Sequence, residues 1–444
     1  MKSNYMENMD LKKLSIKMSI PMVISMISLA LYNLVDSIFI SNIGTEALTA
    51  ISLSYPIQAI IIGISLGTGI GINSLISRKL GEKQEDTVKK VVSHGIVIMV
   101  IIYLFIIIFG VTLLEKVFRY FTKDELTITY GVEYLSICLF FSFGQIYQIL
   151  LEKIAEAFGK TNYSMLIQFS GAVINLALDP ILIYGFLRVP GLGIKGAAMA
   201  TVIGQISGMI IGFALLKKER IVFTIKKFKV DFTIIKEIYI VGLPSIVSEM
   251  MASLVTLILN KLLIIYSDFA VPFWGIYNKV QSFIFMIVYG FNYGMIPIIG
   301  YNYGAKEYDR MKKTIKIFII YAEIIMLIGI IIFMFFGKQI FKIYGAENGI
   351  IDIGINAFRI LSLGFTFAGI SLVLSSVFQA IGKGVYSLVI FILRQLAINI
   401  PLIYLLRNAV GIDKIWYVFI LSEIIAMVVS CILLKKETKK LTIN

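Results

Sequence analysis

The chain is predicted to be an all-α integral membrane protein, twelve transmembrane helices in two pseudo-symmetric six-helix bundles. Three observations predict this. Of its 444 residues, 58% are hydrophobic and 15% charged, against roughly 45–50% and 25% in soluble proteins, and mean hydropathy is +0.90. Twelve apolar segments follow one another, each long enough to cross a hydrocarbon core of about 30 Å. The second six repeat the first at a fixed spacing.

The segments lie near 15–41, 48–77, 91–115, 130–158, 163–187, 193–216, 237–266, 270–300, 317–340, 350–381, 385–408 and 414–434. The first fourteen residues are polar and basic. The apolar run behind them is too long for a signal-peptide core, so the first span is expected to stay in place. Several spans hold Gly or Pro, which membrane helices tolerate where neighbours satisfy the backbone. Cys138 and Cys431 both fall in apolar spans, which argues against a disulfide framework.

Net charge is +14, a value that in a soluble protein raises nucleic-acid binding. Here the basic residues sit in short links on one side, and no nucleic-acid partner is expected. With the N-terminus inside, the inner links and tails hold 28 Lys and Arg and the outer links nine; Lys261, Lys279, Arg359 and Arg394 fall within spans. That bias puts both termini in the cytoplasm, in a multi-pass protein of the cytoplasmic membrane. The basic links and the KKETKK tail are expected to touch anionic membrane lipids.

The link at 217–236 is the longest and most basic, and it divides the chain into an N-terminal bundle, 1–216, and a C-terminal bundle, 237–444. At an offset of 223, Pro21 falls on Pro244, Gln58 on Gln281, Gly67 on Gly290, Gly71 on Gly294 and Gly81 on Gly304. Further on, Ala157, Gly159, Lys160, Tyr163 and Ser164 fall on Ala380, Gly382, Lys383, Tyr386 and Ser387, and Pro180 meets Pro401 after a two-residue slip. Six spans followed by six in the same orientation form a parallel repeat, an arrangement of transporters that rock two bundles around a midplane site.

Chemistry is expected where polar groups interrupt the spans. The stretch GAVINLALDPILIYG at 171–185 carries Asn175 and Asp179 four residues apart, hence on one helix face. An ionisable group at membrane depth costs at least ~2.5–3.5 kcal/mol and normally faces a cavity or the bundle interior. Pro180 removes a backbone hydrogen bond beside the carboxylate and invites a bend. Asp36, fifteen residues beyond Pro21, is the second embedded acid and should reach a depth similar to Asp179. Two acids at one depth can exchange protons or trap a cation near neutral pH. The competing reading is that each Asp only ties helices together through Asn175, Tyr32, Asn33 or Ser37.

The second half embeds Glu249, Lys279, Arg394 and Glu423. Glu249, Lys279 and Arg394, with Tyr32 and Asn33 near Asp36, are expected to line a substrate cavity; the alternative for the charges is pairing between helices. Glu249 is the best candidate to meet a substrate cation, being near mid-span. The run GTGIG at 67–71 lacks the strand that a phosphate loop requires and reads as close helix contact. His94 is the only histidine, and no Ser/His/Asp set, HExxH or zinc-spaced cysteines appear. No enzymatic activity, cofactor or metal site is expected, apart from a coupling ion.

The chain resembles the multidrug and toxic compound extrusion (MATE) family, nearest its DinF-like and MepA-like branches. The marks are Pro21 with Asp36, Asn175 with Asp179 before Pro180, KVQSF at 279–283 and GYNYGAK at 300–306. The resemblance implies cation coupling at Asp36 and Asp179, helix bending at Pro21, and a hydroxyl near the same pocket at Thr201. It implies a MATE-type fold and an antiporter, working as a monomer, that exchanges H⁺ or Na⁺ for amphipathic, cationic drugs. The repeat puts Leu259 and Ile400 at the places of Asp36 and Asp179, so a matching ion site is not expected in the second half. The runner-up is a flippase for a lipid-linked glycan or other polar lipid, and a membrane enzyme is a third reading.

Overall fold

The computed structural model describes residues 5–186, 189–221 and 228–441. Residues 222–227, inside the predicted link, lie outside the described residues. A short α1 (Tyr5–Asn8) leads into α2 (Leu11–Ser41), α3 (Thr45–Gly81) and α4 (Glu85–Phe121). Then come α5 (Glu125–Phe140), α6 (Phe143–Ala157) and α7 (Thr161–Tyr184). A two-stranded ribbon follows, β1 (Gly185–Phe186) antiparallel to β2 (Val189–Pro190). α8 (Ile194–Lys218) closes the first half, and α9 (Phe232–Leu263), α10 (Ala270–Gly304) and α11 (Tyr308–Phe335) open the second. α12 (Gly337–Ile343), α13 (Asn348–Leu363) and α14 (Phe365–Ala380) precede α15 (Gly384–Ile392), a π-helical turn at Leu393–Ala397 and α16 (Asn399–Leu405). The chain ends on α17 (Ile412–Ile415) and α18 (Tyr417–Leu441).

Among the described residues, ten helices are long and apolar enough to cross a membrane. Two bent pairs raise the total to twelve, α5 with α6 at 49° and α13 with α14 at 46°. The breaks fall at Phe141–Ser142 and at Gly364, and 364 − 141 is again 223, so the bend belongs to the repeat. Neither break holds a proline. A Ser and a Gly loosen the helix instead, and the Tyr103 hydroxyl donates to the Phe140 carbonyl at 2.9 Å. Pro21 and Pro180, by contrast, lie inside uninterrupted helices.

The chain forms two compact units, Ile24–Ile246, and Met1–Val23 together with Val247–Asn444. Their boundaries run through α2 and α9. In the first unit, α3 meets the start of α9 at Gly67 and Gly71. A Cβ at Gly67 would lie 2.6 Å from the Ile246 nitrogen, and one at Gly71 would strike the Ile238 carbonyl. In the second unit, α10 meets the start of α2 at Gly290 and Gly294, where a Cβ would lie 2.8 Å from Val23 Cα and 2.8 Å from the Met18 carbonyl. The glycine pairs are repeat partners, and the GTGIG run is a helix contact.

On α2, Ile16, Ile20, Ile24, Ile27, Leu31, Leu34 and Ile38 are exposed. Their spacing of three and four draws one apolar stripe, the surface lipid requires. The core of the second unit is aromatic: Phe273, Tyr277, Phe333, Phe358 and both tryptophans, Trp274 and Trp416, lie within 4.6–6.2 Å of ring neighbours. In the first unit, buried His94 accepts from the Asp231 N–H through Nε2 at 2.9 Å, so Nδ1 carries the proton and donates to the Lys90 carbonyl at 2.8 Å. It fastens the start of α9 to α4.

Candidate functional site: a buried carboxyl pair

Within the unit Ile24–Ile246, α2, α7 and α8 build one polar site. The i, i+4 spacing puts Asn175 and Asp179 on the inner face of α7, with Asp179 wholly buried and Asn175 2% exposed. Asn175 Nδ2 donates to Asp179 Oδ1 at 3.3 Å and lies 3.4 Å from Thr201 Oγ1 on α8. The Gly171–Gly204 contact lets α8 come this near. A Cβ on Gly204 would sit 2.6 Å from the Gly171 carbonyl and 3.0 Å from Asn175 Cβ. Thr201 also hydrogen-bonds Tyr32 of α2.

Asp36, one turn beyond Tyr32, brings its carboxyl group within hydrogen-bonding reach of Asp179. A second clamp sets this register: the Tyr184 hydroxyl donates to the Phe39 carbonyl at 2.7 Å, tying the end of α7 to α2 three residues past Asp36. Two carboxyl groups make such a contact only with a proton or cation between them, because ionised oxygens solely accept. Three buried oxygens of the cluster, Asp36 Oδ1, Asp179 Oδ2 and Asn175 Oδ1, have no hydrogen-bond partner. All are acceptors. The arrangement suits a proton, a small cation or a hydrogen-bond donor.

Asn33 is exposed, its carbonyl accepting from Ser37 at 2.8 Å, and it takes no part in this cluster. Behind Asp36, Gln58 Nε2 donates to the Tyr134 hydroxyl at 3.4 Å, and Tyr134 meets Cys138.

The embedded charges of the second unit are arranged differently. Arg394 makes a two-pronged ion pair with Glu423, at 2.7 and 2.9 Å, and a further bond to Tyr289. The π-helical turn positions Arg394, and Asn399 Nδ2 takes up its carbonyl at 2.7 Å. Arg394, Glu423 and Asn399 line a cavity of about 120 Å³ walled by Trp274, Tyr277 and Phe419. Glu249 is solvent-accessible and close to Tyr289. Lys279 is exposed, its ammonium 6.0 Å from the Tyr344 ring, and it is not among the residues lining that cavity.

Sequence reasoning missed three further groups. Glu323 of α11 hydrogen-bonds Thr366 and leaves Oε1 without a partner; a lone acid in IIYAEIIML was its signal. Glu152 and Glu156 are buried on α6, four residues apart, and buried Lys153, one of the 28 basic residues assigned to the inner side, pairs with Glu156. Tyr184 left no signal, since its partner is a backbone atom on another helix.

Twelve apolar spans in a two-fold repeat, with a wholly buried Asp179 beside a half-buried Asp36 in the first half, define a multi-pass helical membrane transporter. The MatE family profile matches residues 21–181 and 244–405, two stretches that begin 223 residues apart, as 244 − 21. The chain belongs to the MatE family. Multidrug export protein MepA of Staphylococcus haemolyticus is 26% identical over 444 residues, 99% of this chain and 97% of that protein. MepA of Staphylococcus aureus strain MSSA476 is 25% identical over 443 residues, with the same coverage. Among solved structures, a multidrug resistance MATE family transporter of the MOP superfamily in an outward-facing conformation superposes with TM-score 0.92 at 26% identity, covering 99% of each chain. A MOP superfamily transporter from Pyrococcus furiosus superposes with TM-score 0.92 at 25% identity, over 100% of this chain and 99% of that one.

Proposed function

We propose that the protein is a cation-coupled antiporter that exports amphipathic, cationic drugs across the cell membrane by alternating access, with both termini in the cytoplasm. The observation that carries this reading is the contact between Asp36 and Asp179, with three acceptor oxygens left unsatisfied around it. Such a site changes charge by one when it takes up H⁺ or Na⁺. Antiport requires that ion and drug oppose one another's binding, and neutralising the pair removes the charge that attracts a cationic drug. Names of relatives over the full length, multidrug export protein MepA among them, support the export of drugs. The MATE family transporter solved in an outward-facing state supports alternating access.

Coupling at Asp36 and Asp179 is assisted by Asn175 and Thr201, which hold Asp179 and Tyr32 in register. Lys279 and Arg394, the cations embedded in spans of the second half, keep the polar-lipid flippase open, and of the two it is Arg394 that lines the cavity. Its guanidinium fork is occupied by Glu423, which leaves a phosphate little to bind.

The test is ethidium efflux from proteoliposomes under an imposed H⁺ gradient and, separately, an imposed Na⁺ gradient. One gradient should drive efflux, and Asp36→Asn or Asp179→Asn should lower the driven rate at least about tenfold. Full driven efflux by either variant would refute the reading.

A further inference from the structure

The unit Ile24–Ile246 holds a second buried ionic group, separate from the carboxyl pair. On α6, Lys153 Nζ lies 2.9 Å from both carboxylate oxygens of Glu156. Glu156 also accepts from Asn73 Nδ2 at 3.1 Å and Ser164 Oγ at 3.0 Å. Glu152, one turn earlier and 9% exposed, accepts from Gln148 Nε2 at 3.1 Å. The ammonium is paired with Glu156, and Glu152 stands beside that ion pair, held by the Gln148 amide.

The repeat supplies an internal control. At the offset of 223, Glu152, Lys153, Glu156 and Ser164 fall on Ser375, Ser376, Gln379 and Ser387. That counterpart is neutral: Ser375 and Ser387 hydroxyls meet at 2.5 Å, and Gln379 Nε2 donates to Ser387 at 3.2 Å. The same frame thus closes with hydroxyls and an amide, and packing alone does not call for charges here. Burying ions costs several kcal/mol each, a cost that a purely structural role leaves unexplained.

Polar groups also line one face of α7 between this cluster and the carboxyl pair, interrupted at Gly171. Asp179, Asn175, Gln168 and Ser164 are spaced four, seven and four along α7, on one face. Gln148, Glu152 and Glu156 form the matching row on α6. Between Asn175 and Gln168 stands Gly171, and the Gln148 amide lies 3.6 Å from where its Cβ would be. The same amide reaches Gln168 Oε1 at 3.2 Å. A polar seam about 22 Å long, at 1.5 Å per residue, therefore runs from Asp179 to Ser164.

We infer that Glu152 is the group through which the coupling proton of the Asp36–Asp179 pair is exchanged with the cytoplasmic end of the bundle. The inference rests on the function and orientation proposed above, with the proton as the ion. The pair gives up its proton, the Glu152 carboxylate takes it, and Glu152 returns it to water at the inner end of α6. One H⁺ enters and one leaves, while Lys153 and Glu156 keep their charges. Gln148 and Gln168 position hydrogen bonds along the way. Lys153 and Glu156, both on its own helix, are the charged groups that act on Glu152; among the described residues, α3, α4, α7 and α8 bring no other.

The test uses the full chain in proteoliposomes with trapped pyranine, recording proton release on ethidium addition, beside ethidium binding and thermal unfolding. Glu152→Gln should slow proton release about tenfold and flatten its dependence on cytoplasmic-side pH, with ethidium Kd held within about twofold, while Glu152→Asp recovers much of the rate. Wild-type release by Glu152→Gln, beside lost release in Asp179→Asn, overturns the relay and leaves the coupling reading standing. Undiminished release in Asp179→Asn overturns that reading and the relay with it. A joint fall of ethidium binding and unfolding temperature in both Glu152 variants marks a packing role and overturns the relay alone.

Discussion

Asp179 makes sense only with the company it keeps. In the coupling proposed above the ion lies between Asp179 and Asp36, and Asn175 and Thr201 are the hydrogen-bonding groups beside the wholly buried Asp179. Thr201→Val keeps the shape and removes the hydroxyl that joins Tyr32 to Asn175. It should raise the ion concentration for half-maximal driven efflux by roughly three- to tenfold, the worth of one or two buried hydrogen bonds. Ethidium efflux measured across a series of gradients checks this, and an unshifted midpoint would remove Thr201 from the site. Arg394 and Glu423 invite a different experiment. Losing one partner leaves the other charged and unpaired in the interior, at a cost of roughly 3–5 kcal/mol, whereas replacing both is nearly neutral. Arg394→Met should therefore lower the unfolding temperature sharply and Arg394→Met with Glu423→Leu should restore most of it; additive losses would contradict the pairing. Asp36 and Asp179 were legible in the sequence because an acid stands out against an apolar span. Lys153 was not, because a lysine near the end of a span reads as a link residue until its buried partner Glu156 is seen.

Helix contacts were legible where they rested on glycine and illegible where they rested on geometry alone. Gly67 and Gly71 announced close approach, Gly290 and Gly294 stood out only as their repeat partners, and each of the four meets backbone of the facing helix. Gly71→Val and Gly294→Val should each destabilise by about 1–3 kcal/mol or more, since the facing atoms are main chain and cannot turn aside. Gly275 is the matched control on α10: a Cβ there meets nothing within 4 Å. Gly275→Ala should leave stability unchanged or raise it by up to ~1 kcal/mol through reduced freedom of the unfolded chain. Thermal unfolding in one detergent ranks the three, and a Gly275→Ala loss matching the valine variants would show that the contacts are not the cause. The bends between α5 and α6 and between α13 and α14 left no proline to read. They became visible only in the structure, where both halves break at the same place in the repeat.

At the scale of the whole molecule, the repeat was open to reading at an offset of 223, but the exchange of segments was not. Hydropathy and loop charge mark the link at 217–236 as the division of the sequence, because they report where the chain leaves the membrane. They carry no information about which bundle a helix packs into. The compact units take residues 1–23 with 247–444 and residues 24–246 together, so each is completed by a segment from the opposite half of the sequence. The exchanged pieces are tightly fitted, the start of α9 against Gly67 and Gly71 and the start of α2 against Gly290 and Gly294. A chain cut within 222–227 tests this directly. Residues 1–221 expressed alone lack the α9 segment that covers the glycine face of α3, and residues 228–444 alone lack the α2 segment that covers α10. Each fragment by itself should aggregate or be degraded, since an open interface of backbone-close glycines has no other partner of matching shape. Co-expressed, the two should co-purify and restore ethidium efflux. A monodisperse, protease-resistant 1–221 fragment would show instead that the first bundle is complete without α9, and that the exchanged segments are dispensable to the fold.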